Sequence, residues 1–154
     1  MPKWDRLLAE RRILVGMRAR RSFDAIRELV ELVAYDESIA DPKDFLARLI
    51  QREKQLSSGI GKGVAVPHLH DDTITRQLLA IGTSGSGIEF GSPDGEPVRI
   101  VALLATPGKH HSQHMELLAA LSRLLQQDSA RQALVDAPDA AAVIEVFHGC
   151  GADA

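Results

Sequence analysis

QREKQLSSGIGKGVAVPHLHDD, residues 51–72, is the stretch on which the reading of the fold turns. A helical pattern ends within it, and glycines at 59, 61 and 63 interrupt the chain. The small apolar run GVAVP then reads as a short strand stopped by Pro67. His68 follows at once. Glycine permits tight turns and proline fixes φ, so the segment reads as a device that sets one imidazole in a defined place.

Outward from this point the pattern alternates. RILVGM (12–17) reads as a short first strand. Ser22 is expected to cap a helix in which Phe23, Ile26, Leu29, Val30 and Val33 recur at helical spacing. A second helix is expected after Asp41 or Pro42, carrying Phe45, Leu46, Leu49 and Ile50. LLAIGTS (78–84) and PVRIVALLA (97–105) read as strands, and the nearly continuous apolar run of the second fits a strand covered on both faces. SPDGEP (92–97) between them holds an Asp-Gly turn. Beyond TPGKHHS the chain reads as helical, at roughly 112–126, 128–136 and 139–148. Helices, then strands, then helices predict an α+β chain whose mixed sheet is covered on two sides.

With 154 residues, 45% hydrophobic and 25% charged, the composition is that of a globular chain, and 1–154 is expected to be a single domain. A net charge of -3 gives no footprint for nucleic acid or an anionic membrane. The longest apolar run, Ile100 to Ala105, is far too short for membrane insertion, and MPKWDRLLAE has no signal-peptide core. Cys150 is the only cysteine, which excludes an internal disulfide. A cytoplasmic location is expected.

Three polar residues interrupt this order. At about 100° per residue, Phe45, Leu46, Leu49, Ile50 and Leu56 define one face of the second helix. Glu53 falls near the middle of that face and Arg52 near its edge, whereas Arg48, Gln51 and Lys54 lie outside it. An inward charge is costly unless paired, so either the helix has already frayed there, or these two cap and pair locally, or they belong to a site. In the helix after TPGKHH, Leu117, Leu118, Leu121, Leu124 and Leu125 form the apolar stripe. His114 extrapolates to the centre of that stripe, at a helix start where free N–H groups and the dipole favour an anion. A hydrogen-bonded core histidine is the alternative. His110 and His111 fall in the preceding loop and are expected to be solvated.

Two familiar site patterns fail here. A phosphate-binding P-loop needs G-x-x-x-x-G-K-[ST], but Gly63 follows Lys62 and Leu56 holds the first glycine position. The stretch also precedes a strand rather than opening a helix, which excludes the dinucleotide fingerprint. His68, His70 and Asp72 match the H-x-H-x-D start of metal-dependent hydrolases, and histidines two apart in an extended segment share a face. That pattern continues with histidine, whereas position 73 is Thr. A metal site would have to draw on His110, His111 or His114.

Residues 51–72 resemble the signature of the phosphotransferase-system enzyme IIA domains of the fructose, mannitol and nitrogen-regulatory type. Those domains carry an Arg-Glu pair, a Ser/Thr-Gly-Ile-Gly segment and a strand ending in Pro-His. GIEFGSPDGEPVRIVALLATP (87–107) resembles the family's apolar strand, and HMELLAALSRLL (114–125) its following helix. The resemblance implies a three-layer α/β/α sandwich. It implies that His68 accepts a phosphoryl group, that Arg52 and His114 bind it, and that no nucleotide, metal or other cofactor is required. Glu53 would hold Arg52 or the loop, Gly59 and Gly61 would let the helix fold back, and Pro67 would fix the chain before His68. The implied donor is the histidine-containing phosphocarrier protein, and the recipient a IIB domain or a regulatory target protein. His70 and the His110-His111 pair are extra to the family's pattern.

Overall fold

The computed structural model describes residues 4–151; the side chain of Cys150 lies outside that description. The chain opens with α1 (Trp4–Leu7), a 3-10 turn (Glu10–Arg12) and β1 (Ile13–Val15). Two helices follow, α2 (Ser22–Val33) and α3 (Pro42–Gln55). Three short strands come next, β2 (Gly59–Gly61), β3 (Val64–Ala65) and β4 (His68–Asp71). Two long strands, β5 (Leu78–Ile88) and β6 (Val98–Pro107), precede the helices α4 (His111–Leu125), α5 (Asp128–Asp136) and α6 (Ala140–Gly151). Among these residues no helix is long and apolar enough to cross a membrane.

The apolar run that forms β6 is the axis of the molecule. The six-stranded sheet has the order β1-β5-β6-β3-β2, and β4 also pairs with β6. β5 runs antiparallel to β6, whereas β1 is parallel to β5 and both β3 and β4 are parallel to β6. The sheet is therefore mixed. Side chains alternate across a strand, and here both faces are apolar. Ile100, Ala102 and Leu104 pack with Leu117, Leu121, Leu134, Val143 and Phe147 of the last three helices. Val101, Leu103 and Ala105 pack with Ile26, Leu29, Val33, Phe45 and Leu49 of α2 and α3. Burial on both sides is why the strand reads as an unbroken hydrophobic run. The fold is the expected α/β/α sandwich.

Several local readings need correction. Arg21, not Ser22, occupies the N-cap of α2, with no side-chain cap bond. A parallel bridge between Arg21 and Glu89 pins the chain there, and Ser22 already lies inside the helix with its N–H on the Glu89 carbonyl. At α3 the expected cap holds, since the Asp41 side chain accepts from the Asp44 N–H at 3.2 Å. α3 stops at Gln55, where Leu56 turns to φ -155 and ψ 127. Leu56 is 80% exposed and Arg52 is exposed too, so neither lies on the helix's inner face. His111 opens α4 rather than lying in the loop, while His110 takes the N-cap position. The sequence reading also missed α1, the 3-10 turn and the strand β4.

Candidate functional site

Pro67 does not end the strand run; it offsets it. Lacking an N–H, proline cannot donate to a ladder. Its carbonyl nevertheless accepts from the Leu104 N–H at 3.0 Å, so the chain stays alongside β6 and resumes as β4. His68 and His70, two apart on that strand, pair in register with Leu104 and Thr106. Ahead of them, β2 and β3 form a hairpin turned by Lys62 and Gly63. Gly61, Lys62 and Gly63 all have positive φ, at 95°, 57° and 78°. Gly59 meets a different limit, because a Cβ there would lie 2.2 Å from the Ser92 Oγ.

Glu53 ties this loop to α3. Both of its carboxylate oxygens accept from the Ser58 N–H at 3.1 Å. Val66 N–H reaches the Ser58 carbonyl at 3.0 Å, which links the helix end to the residue two before His68. Glu53 therefore anchors the loop. Arg52, Glu53, Ser57, Ser58, Pro67 and His68 line a common cavity of about 340 Å³.

The imidazole of His68 is half-buried, and its Nδ1 lies 2.9 Å from the Val66 carbonyl oxygen. A carbonyl only accepts, so Nδ1 carries the proton and Nε2 keeps the lone pair. Burial lowers the His68 pKa, the Val66 bond opposes this, and the Arg52 and His70 charges lower it further. His114, only 4% exposed, lies in the first turn of α4 with its ring centroid 5.5 Å from that of His68. Its pKa is lowered to about 4, by burial first and then by His70, His68, His111 and Arg52. Both imidazoles are neutral at pH 7.

The tautomer of His114 follows from its partners. Thr106 Oγ1 lies 2.8 Å from His114 Nδ1, and the Gln77 side-chain amide donates to the same oxygen at 3.0 Å. Thr106 is fully buried, so its hydroxyl proton is best placed on His114 Nδ1. His114 Nε2 then carries the N–H. Gln77 and Thr106 are positioning residues that the sequence reading missed. Their sole signal was a threonine interrupting the apolar run of β6, beside the site.

The extra histidines join this group. His70 stacks on His114 at 4.4 Å and on His111 at 5.7 Å, and its Nε2 lies 3.1 Å from the Gly108 carbonyl oxygen. His111 is exposed yet in ring contact, not merely solvated. Among the described residues no three His, Cys, Asp or Glu side chains are arranged to hold a metal ion. The H-x-H-x-D spacing is present, but its neighbours are ring stacks and carbonyls.

Fold and site together define a class: an α/β/α sandwich domain built around a neutral, half-buried histidine that follows a proline. The pattern of the family described as "Phosphoenolpyruvate-dependent sugar phosphotransferase system, EIIA 2" matches residues 6–149, and the chain belongs to that family. The fructose-specific EIIA component of Haloferax volcanii is 31% identical over 80% of this chain and 80% of its own length. The nitrogen regulatory protein of Pseudomonas aeruginosa is 27% identical over 95% of each chain. The chain spans only 23% of the fructose-specific EIIABC component of Bacillus subtilis, to which it is 28% identical. In structure it is similar to the nitrogen regulatory protein IIA-Ntr of Neisseria meningitidis, with a TM-score of 0.86 and 27% identity over 92% of this chain and 97% of that one. It also shares its fold with a chain from the Escherichia coli complex of enzyme IIAMTL and phosphorylated enzyme IIBMTL, with a TM-score of 0.81 and 21% identity over 92% and 97%.

Proposed function

We propose that residues 1–154 act as a single phosphohistidine carrier of the phosphoenolpyruvate-dependent phosphotransferase system, with His68 as the acceptor. The observation that carries this reading is the state of His68: neutral, with its Nδ1–H given to the Val66 carbonyl, so that Nε2 keeps its lone pair, on a ring that shares a cavity with Arg52 and lies 5.5 Å from the His114 ring. Neutral imidazole is a competent nucleophile near pH 7. Nε2 attacks the phosphorus of a phosphohistidine on the donor, and the bond from phosphorus to the donor's ring nitrogen breaks. The donor imidazole leaves with that electron pair. The Nδ1–H bond to Val66 spreads the positive charge that His68 acquires.

Transfer of this kind is governed by positioning and charge stabilisation. The Arg52 guanidinium offers a planar fork to the non-bridging oxygens. His114, with its proton on Nε2, adds a neutral donor that the threonine relay keeps oriented. Glu53 and Pro67 act through the loop, and Gly59 and Gly61 let it close. The donor is the histidine-containing phosphocarrier protein and no cofactor takes part. The recipient is a IIB domain, a reading supported by the likeness to the fructose-specific relatives. A second reading, supported by the likeness to IIA-Ntr, is that phosphorylation controls a regulatory partner. The chemistry at His68 is the same in both.

The test is intact mass after incubation with phosphoenolpyruvate, enzyme I and the phosphocarrier protein. Wild type gains one acid-labile phosphoryl group, His68→Ala gains none, and Arg52→Ala reaches the same end point at least about tenfold more slowly. A phosphorylated His68→Ala protein ends the assignment. Adding IIB then separates the two readings: loss of the label to IIB supports transport, and retention supports regulation.

A further inference from the structure

The hairpin that leads into the histidine strand also closes a second cavity, toward the other end of β6. Val64 pairs with Ile100 and His68 with Leu104. The two places are thus separated by about 13 Å along the strand. This cavity, about 490 Å³, is lined by Lys62, Arg99, Arg131, Asp128 and Gln132, with Ile100 and Val135 forming apolar wall. Three basic residues and one acidic residue line it, in a protein whose net charge is -3.

The two guanidinium groups are held, not merely present. Arg99 Nη1 donates to the Gly85 carbonyl and Arg131 Nη1 to the Leu125 carbonyl. A carbonyl takes one N–H from each guanidinium and fixes its plane without cancelling its charge. Arg131 Nη2 also donates directly to Asp128, whose side chain is 90% exposed, an exposed pair of the kind that contributes little energy and that a more strongly charged ligand can displace. Lys62 is the only non-glycine residue with positive φ among the described residues, at 57°. A two-residue hairpin turn of this kind favours Asn, Asp or Gly. The chain instead keeps a lysine in that strained position, its backbone N–H held by the Asp94 carboxylate at 2.8 Å, and the residue borders the cavity. Local strain of this sort is retained where a site uses it.

We propose that this cavity binds a small dianion of the phosphate monoester class, at a place separate from His68. Two guanidinium forks recognise tetrahedral oxyanions in bidentate fashion. The volume is that of a small-ligand site, and Gln132, whose amide nitrogen donates to Asp136 at 3.0 Å, offers its carbonyl oxygen to a hydroxyl of the ester's polar remainder. The proposal does not rest on His68 being a carrier.

The experiment is an amide chemical-shift titration of the full chain with inorganic phosphate, with glycerol 3-phosphate, and with glycerol as the uncharged control. Saturable shifts are expected at Lys62, Gly63, Arg99 and Gln132 with both anions and none there with glycerol. Lys62→Asn, which suits the turn, and Arg99→Gln should each weaken binding by roughly fivefold or more. His68→Ala should bind as wild type does. If Arg99→Gln loses its dispersed spectrum, Lys62→Asn decides the matter alone. Shifts confined to the His68 and His114 region, non-saturating shifts, or affinity unchanged in Lys62→Asn would each overturn the proposal.

Discussion

His114 is held neutral by its surroundings, and that has a measurable consequence for stability. Its pKa in the folded chain is lowered to about 4, first by burial and then by the charges of His70, His68, His111 and Arg52. In the unfolded chain an ordinary histidine titrates near 6.5. Between these values the unfolded state binds a proton that the folded state refuses. The stabilisation is therefore complete above the unfolded pKa and is lost as pH falls from there toward 4. At pH 5 the loss amounts to about 2 kcal/mol from this residue. His68 is shifted in the same direction and adds to it. Urea unfolding at pH 7 and pH 5 should show the drop, and His114→Gln, which has no proton to gain, should show a smaller one. An equal drop in the variant would mean that the acid sensitivity lies elsewhere.

At the scale of elements, the site depends on how closely the β2–β3 hairpin lies against the segment before β6. A Cβ on Gly59 would stand 2.2 Å from Ser92 Oγ and 3.2 Å from Ser92 Cα, and Ser92 is buried. Gly59→Ala should therefore push β2 outward and cost roughly 1–3 kcal/mol. Ser92→Gly in the same chain removes the obstructing side chain and should recover part of that loss, as read by chemical unfolding. The sequence showed a glycine turn ahead of the strand before His68, but not that Gly59–Gly61 is itself a strand of a hairpin, nor what it packs against, since Ser92 lies far along the chain. The long strands and helices were legible because each buries a periodic face. β4 was not, because Pro67 conceals a strand that resumes beyond it, and α1 was not, because a one-turn helix has too little periodicity to read. The inward position of His114 was legible from helical phase, whereas its expected role came only from the family resemblance. Helical phase put Arg52 near the edge of the inner face, whereas it lies on an exposed helix end beside the cavity it lines with His68, because extrapolation fails where the helix stops at Gln55.

Across the whole molecule, one buried ion pair joins the two helical layers at the β1 edge of the sheet. The Arg12 guanidinium, 6% exposed, lies 3.5 Å from Asp36, whose side chain is 5% exposed. It also donates to the carbonyls of Leu7 at 2.9 Å and Leu79 at 3.4 Å. Leu7 belongs to the core shared with the last three helices, whereas Asp36 follows α2 on the opposite face. Burial raises the Asp36 pKa, but hydrogen bonds from Ser38 and the charges of Arg76 and Arg12 bring it below the usual carboxylate range. Replacing Arg12 with Met leaves the buried Asp36 carboxylate only the exposed arginines Arg76 at 3.6 Å and Arg11 at 3.9 Å, and should cost roughly 2–4 kcal/mol. Exchanging both partners, as Arg12→Met with Asp36→Asn, should cost less than Arg12→Met alone, because the buried carboxylate that lost its buried partner is then neutral. Trp4, the only tryptophan, reports on this directly, since its ring meets Phe147 edge-on at 5.0 Å within the same core. Urea titrations followed by Trp4 fluorescence and by far-UV circular dichroism should move together in the single variant if the pair holds the layers as one cooperative unit. Separate midpoints, with the fluorescence transition first, would instead show that the pair secures only the amino-terminal segment against the sheet.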